Sequence, residues 1–380
     1  MQHFHPLMEL FNNGTLNYNK EMYPLSEIIL ECVQNHYPEV KSLDTIHESM
    51  DTNELFELGH KVNRELYNTD FYKMLDHVIG DYIQQATGEE VLIQRFPSIR
   101  FLQPNQDEQG KVLQFHQGRW VGNGLGLYTI WMPFTACYES NSMQILDGEP
   151  SREITRKSVL EQWDYEKLNE ECLKHCWPIT LQPGQAHLFW QEHIHGNIPN
   201  RTGKTRCSLD IRILVKGGQP HRKWPGSYFR PLHKDFAKKP EFKQGENIVA
   251  YAEYEGMKTK KLDLYFQTLV VKGYCQRAGI PFPYQHGDNE SLGNHYLEYL
   301  LKDDTIDHIL LTSMFSLPDD AEKRIRIMKK AVAQNCKLHL CNEDIIVETA
   351  EDIENVEYLR TFTNDWSSPV DQLEEELYGK

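Results

Sequence analysis

The sequence predicts a mixed fold: an all-β barrel or jelly roll wrapped by amino-terminal helices, followed by a small α/β domain with a mostly parallel sheet. Three observations predict it. Apolar residues recur at spacings of three and four through the first third of the chain. Short, partly alternating apolar runs divided by Gly, Pro, Asn and Asp fill the middle. Beyond about residue 260, compact strand-like runs alternate with helix-like ones.

With 380 residues, 39% of them hydrophobic and 25% charged, the chain is long enough for two domains with ordinary cores. Forty basic residues against 56 acidic ones give a formal charge of -16, which disfavours a generally attractive surface for nucleic acid or an anionic membrane. No apolar run reaches the roughly 18 residues of a membrane span, and MQHFHPLMEL lacks the basic start and apolar run of a secretory signal. A cytoplasmic protein is expected. The eight cysteines form no compact framework and are expected to be reduced.

Taken in order, Tyr23 to Tyr37 and Glu54 to Gln85 carry apolar stripes at helical spacing. Asp51 is placed to cap the second segment, with Glu54 as its capping-box partner, and Leu55, Leu58, Val62 and Leu66 form the buried face. EEVLIQRFPSIRFLQP, interrupted by Pro97, reads as short strands entering a sheet. QFHQGRW, GLYTIWMPFTACY, SMQILDG, QAHLFW and TRCSLDIRILV continue the β-rich region.

Three residues of this region stand out: His116 in FHQGRW, His195 in WQEHIHGNIPN, and Arg206 eleven residues later in GKTRCSLDIRI. Together with FHQGRWVGN, YTIWMPFT, NSMQILDG and HGN, the pattern resembles the phytanoyl-CoA hydroxylase-like branch of the iron(II)/2-oxoglutarate oxygenase superfamily, over roughly residues 90 to 215. The wording is similar to members found in carbohydrate and aminoglycoside biosynthetic clusters. The resemblance implies a double-stranded β-helix of the cupin type, with His116 and His195 as iron ligands and Arg206 holding the far carboxylate of 2-oxoglutarate. Two imidazoles leave positions on iron for the keto acid and oxygen, and a guanidinium matches a carboxylate through paired hydrogen bonds. Tyr128, Thr129, Trp131 and Asn141 are candidate pocket-lining and cofactor-binding residues, although strand packing explains each as well, and Gln94 and Arg100 are placed to reach the same pocket.

The sequence departs from the family at one position. Where the pattern runs His, any residue, Asp, this chain has His116, Gln117 and Gly118, and glycine supplies no carboxylate. Three readings stay open. Chloride takes the missing ligand's place, as in related non-haem iron halogenases; water or a carboxylate such as Glu192, Asp147 or Asp210 completes the site and oxidation persists; or the pocket has become a noncatalytic carbohydrate-binding or scaffold module. His193 shares the HIH word with His195 and is the second choice of ligand, while Arg212 fits either a ligand contact or a polar strand face. The expected substrate is a polar small molecule, carbohydrate- or nucleotide-linked, and a homodimer is compatible with the reading.

Residues 1–215 are therefore expected to form the oxygenase-like domain, 216–260 a linker or a pocket-covering extension rich in Gly, Pro and basic residues, and 261–380 an accessory α/β domain with an acidic tail. In the last part KLDLYFQTLVV reads as a strand, SLGNHYLEYLLKD as a helix, IDHILLTSMF as a strand, AEKRIRIMKKAVAQ as a helix and CKLHLCNEDIIV as a strand. This part resembles a small domain of bacterial carbohydrate gene clusters, and its rhythm is similar to the serine-recombinase catalytic fold, without a nucleophilic constellation for DNA cleavage. Ser313 lies where open α/β sheets contact ligands, but a turn explains it equally, and Cys336 and Cys341 make no second metal motif.

Overall fold

A computed structural model describes residues 14–87, 90–105, 114–121, 123–124, 127–216, 218, 223, 225–253, 263–288 and 295–362. They fall into two compact units, one within 1–223 together with 231–233, the other within 224–230 and 234–364. No helix among the described residues is long and apolar enough to cross a membrane. All eight cysteines are free thiols.

In the first unit, helices α1 (Leu25–Gln34), α2 (Thr52–Glu65) and α3 (Phe71–Thr87) precede the sheets. The Asp51 carboxylate accepts from the Asn53 and Glu54 N–H groups while Glu54 accepts from the Asp51 N–H, the reciprocal box the sequence predicts. Leu55, Leu58, Val62 and Leu66 are buried, as expected from their spacing. The strands, in chain order, are β1 (Thr15–Asn17), β2 (Val91–Gln94), β3 (Ser98–Leu102), β4 (Leu127–Pro133), β5 (Gln144–Ile145), β6 (Trp177–Pro178), β7 (Gln185–Trp190), β8 (His195–Gly196) and β9 (Arg206–Val215). Helices α4 (Gly148–Leu160) and α5 (Tyr165–His175) lie between β5 and β6.

Along β1-β7-β4-β9-β2 the larger sheet is antiparallel, with β3 beside β2 along the same edge of β9. A smaller antiparallel sheet runs β6-β5-β8. The unit is thus a mixed fold with an antiparallel core flanked by amino-terminal helices, the architecture expected of a double-stranded β-helix. Alternation assigns the faces of the larger sheet. Cys207, Leu209, Ile211 and Ile213 of β9 join Tyr128, Ile130 and Met132 of β4 in one core with the helices. Arg206, Ser208, Asp210 and Arg212 alternate to the opposite face, with Thr129 and Trp131 of β4.

The second unit holds a sheet ordered β12-β11-β13-β14-β15, formed by β11 (Ile248–Glu253), β12 (Gln285–Asp288), β13 (His308–Leu311), β14 (Lys337–Leu340) and β15 (Ile345–Val347). It is parallel except for the last pair. Three expectations are corrected here. The 216–260 stretch is not one connection: it contains β10 (Phe229–Pro231) and β11, which pairs on both edges, because the IVAYAE run behind the Gly- and Lys-rich segment is β-favouring. KLDLYFQTLVV is not a strand. Its described part opens helix α6 (Leu264–Ala278), capped by Asp263 and stopped by left-handed Gly279, with Gln267, Val271, Tyr274 and Cys275 buried at helical spacing. CKLHLCNEDIIV is a hairpin, β14 and β15, turned at Asp344 with φ 54°. Helices α7 (His295–Leu300), α8 (Ala321–Ala333) and α9 (Ala350–Thr361) complete the unit. The acidic tail lies outside the described residues.

Candidate functional site

Two histidines meet at β8. His116 lies across it in an antiparallel bridge: its N–H donates to the His195 carbonyl (2.9 Å) and the His195 N–H donates to the His116 carbonyl (3.0 Å). Residues paired this way carry their side chains on one face, and the two rings stand 4.5 Å apart, inclined by 51°. Gly196 makes the approach possible. A Cβ there would lie 2.9 Å from Phe115 Cα and 3.0 Å from both Gln114 O and Phe115 N. Those are backbone atoms with nowhere to swing, so the glycine of the HGN word is what lets the 114–116 segment lie against β8.

Both rings are held in one tautomer. His116 Nδ1 lies 3.0 Å from the Gln114 carbonyl, and His195 Nδ1 lies 3.0 Å from the His193 carbonyl. A carbonyl only accepts, so each Nδ1 carries hydrogen, and Nε2 is the nitrogen of each ring left to coordinate. Burial, reinforced by His116, lowers the His195 pKa to about 3 and keeps that ring neutral. A backbone acceptor on the far nitrogen is how metal-ligating imidazoles are commonly oriented.

Arg206 opens β9, 5% exposed. Its Nη1 donates to the Asn197 Oδ1 (2.6 Å) and to the Asn141 carbonyl (3.1 Å), and its guanidinium lies 5.6 Å from the Trp131 ring centre. Its buried Nε has no hydrogen-bond partner among the described residues. Further along the same face, burial works against the charge of Asp210, yet Arg100, Arg212, His195 and Arg206 together hold its carboxyl below the usual range. Arg100 Nη1 approaches Asp210 at 3.8 Å, and Arg212 Nη1 reaches Gln94 Oε1 at 3.4 Å. Asp210 thus sits in the field of three guanidiniums, of which Arg100 comes within ion-pair distance.

The other sequence candidates are distributed as follows. Thr129 is on this face, and its hydroxyl accepts from Gln191 Nε2 at 2.5 Å. Asn141 is buried; its Oδ1 accepts from the Tyr138 N–H, and its carbonyl steadies Arg206. Tyr128 alternates to the helix-side core and is not brought to the histidine pair. His193 faces the start of α4, with Asp147 and Arg152 as charged neighbours, and burial lowers its pKa to about 4. Asp147 accepts from the Trp177 indole at 3.1 Å, while the Glu192 carbonyl accepts from Gln117 Nε2 at 2.7 Å. Among the described residues no three of His, Cys, Asp and Glu come together to hold a metal ion. His116 and His195 are two such donors on one face, and they are the residues that would hold a cation there. Sequence reasoning missed Asn197 and Gly196, whose signal was the HGN word itself, and Gln191, which no local pattern marks.

In the second unit, Ser313 Oγ is buried and donates to Glu343 Oε1 at 2.5 Å, a structural use of that side chain.

No protein-family model matches the chain, and no curated protein matches it. Among solved structures it is similar to a non-heme monooxygenase described as a ThoJ-Ni complex, with 17% identity over 63% of this chain and 89% of that one, at a TM-score of 0.37. The non-heme alpha ketoglutarate dependent epimerase SnoN from nogalamycin biosynthesis aligns at 11% identity over 60% of this chain and 85% of its own, TM-score 0.36. The N-terminal catalytic domain of TP901-1 integrase aligns at 15% identity over 35% of this chain and 98% of its own, TM-score 0.26. The chemistry of the site rests on its own side chains.

Proposed function

We propose that the first unit oxidises a C–H bond of a polar small molecule, carbohydrate- or nucleotide-linked, using iron(II) and 2-oxoglutarate. One observation carries the reading: two imidazoles from separate segments, each with its Nδ1 on a backbone carbonyl, stand side by side, which leaves Nε2 of each for a cation. His116 and His195 would hold the iron, which when bound supplies the oxygen-activating redox chemistry. Arg206 would bind the far carboxylate of 2-oxoglutarate, satisfying its partnerless Nε, while Asn141 and Asn197 keep the guanidinium in place. The cationic row on β9 raises the local concentration of the dianion.

A second reading follows from Gly118, which removes the usual ligand carboxylate: chloride binds there and the reaction is halogenation. Release of succinate from 2-oxoglutarate, with iron(II) and oxygen supplied and chloride present or omitted, separates the readings. Oxidation predicts succinate in both conditions and its loss in His195→Ala. Chloride-dependent product formation favours halogenation, and a protein that takes up no iron under controlled loading is a binding or scaffold module.

A further inference from the structure

Gly118 has no side chain, and the room one would take is filled. A Cβ on Gly118 would fall 1.6 Å from Gln191 Oε1, 2.7 Å from its Cδ and 2.8 Å from Asn123 Nδ2. The end of a glutamine side chain normally swings aside for a new neighbour. This one is 1% exposed and held at both ends of its carboxamide. Nε2 donates to Thr129 Oγ1 at 2.5 Å, and Oε1 accepts from Asn123 Nδ2 at 2.6 Å. Asn123 is itself fixed, because its N–H donates to the Gly118 carbonyl at 3.0 Å and its Oδ1 accepts from Lys223 Nζ. The backbone closes the arrangement, with the Gly118 N–H donating to the Gln191 carbonyl at 3.0 Å. The orientation of the amide also matters chemically. It turns its oxygen, which repels anions, towards position 118 and its NH2 group, which would attract them, towards Thr129.

We infer that Gln191 closes the ligand position left by glycine at 118, so that neither a halide nor a carboxylate carried by residue 118 enters it while the glutamine is in place. The inference rests on the reading of His116 and His195 as an iron pair and sharpens it: the missing carboxylate is replaced by a neutral, locked carboxamide, which selects against halide as a ligand on this side. Gln191 is then a specificity-determining residue that touches the site through position 118. Removing a ligand and filling its place are separate acts, and this chain has done both.

Two measurements test it, one of which needs no metal. In a thermal-unfolding cycle of Gly118→Ala, Gln191→Ala and the double variant, Gly118→Ala alone lowers Tm by about 3 °C or more, and the double variant recovers most of that loss relative to Gln191→Ala. Additive effects overturn the inference. Gln191→Asn, one methylene shorter, replaces Gln191→Ala if the latter does not fold. Second, cobalt(II) is titrated calorimetrically into the native protein, His116→Ala, Gly118→Asp and Gly118→Asp/Gln191→Ala. Gly118→Asp binds no tighter than the native protein, and the double variant binds about tenfold tighter or more, the scale of one group in a metal's shell. Bromide changes the cobalt absorption of Gln191→Ala and not of the native protein. An equal bromide response in the native protein, or full tightening by Gly118→Asp alone, refutes closure. If none of these proteins binds cobalt, the iron reading fails instead, and the unfolding cycle still decides what Gln191 does.

Discussion

One pair of adjacent histidines from each unit can be set side by side, and the two pairs are bonded in different ways. His116 and His195 stand 4.5 Å apart at 51°, and His308 and His339 of the second unit stand 5.0 Å apart at 46°. Ring separation alone does not tell them apart; the bookkeeping of nitrogens does. In the second unit, His308 Nε2 lies 3.0 Å from the Glu246 carboxylate, His308 Nδ1 is 2.8 Å from His339 Nε2, and His339 Nδ1 is 2.7 Å from Tyr274 Oη. A carboxylate only accepts, so His308 Nε2 carries hydrogen and donates to Glu246, and the run continues through His308 Nδ1 and His339 to the Tyr274 hydroxyl. All four ring nitrogens are engaged, and the run is packed under Phe242. In the first unit only the two Nδ1 atoms are bound to the backbone. One pair is a closed structural run; the other, on the proposed reading, is the one that takes a metal ion.

The largest effect that separates them is metal uptake. His116→Ala or His195→Ala should weaken cobalt or manganese binding by about 100-fold or more, whereas His308→Ala should leave it within about twofold, read by calorimetry. Comparable losses from both pairs would erase the distinction. Next comes Gly196→Ala, which pushes a methyl against the Phe115 backbone and separates the rings; about a tenfold loss of metal affinity is expected, with the overall circular dichroism unchanged. Tyr274→Phe takes the hydrogen-bond partner from the buried His339 Nδ1 and should cost about 1–3 kcal/mol in denaturant unfolding, without altering metal affinity.

The smallest effect is a pH dependence of the second unit. Burial, then His308 and Lys337, lower the His339 pKa from 6.5 to about 3. Between those values the unfolded chain holds the extra proton, so this group loses stability as pH falls from 6.5 towards 3. Glu343 acts in the other direction, because burial raises its pKa from 4.5 to about 7. There the folded chain holds the extra proton, and stability is lost as pH rises from 4.5 through 7. Glu343→Gln should therefore gain on the native protein as pH rises through that window, by at most about 1.4 kcal/mol per pH unit in denaturant titrations. A difference that does not change with pH would mean that Glu343 stays ionised in the fold.

Much of the first unit was legible in the sequence because its signals are local. Asp51 and Glu54 announce a helix start within four residues, and the alternation in TRCSLDIRILV gives β9 and both its faces. The histidine pair was found through spacing and resemblance, and its proximity follows from the bridge at β8. One local signal failed where others outweighed it. The LVV run after Asp263 is β-favouring, yet the cap at one end and Gly279 at the other make it helical. The link between Gly118 and Gln191 was invisible for a different reason. Neither residue belongs to a pattern with the other, and only the folded chain sets a carboxamide where a Cβ would go.

The strict alternation along β9 also constrains how this protein can change over time. Arg206, Ser208, Asp210 and Arg212 share a row, and Cys207, Leu209, Ile211 and Ile213 share the other. Inserting or deleting a single residue early in this strand reverses the parity of everything after it, turning guanidiniums into the oily interior and aliphatic side chains to the opposite face. Changes of two residues preserve parity. Length variation in any descendant of this segment should accordingly come in even steps, or be absorbed by a bulge that restores the count.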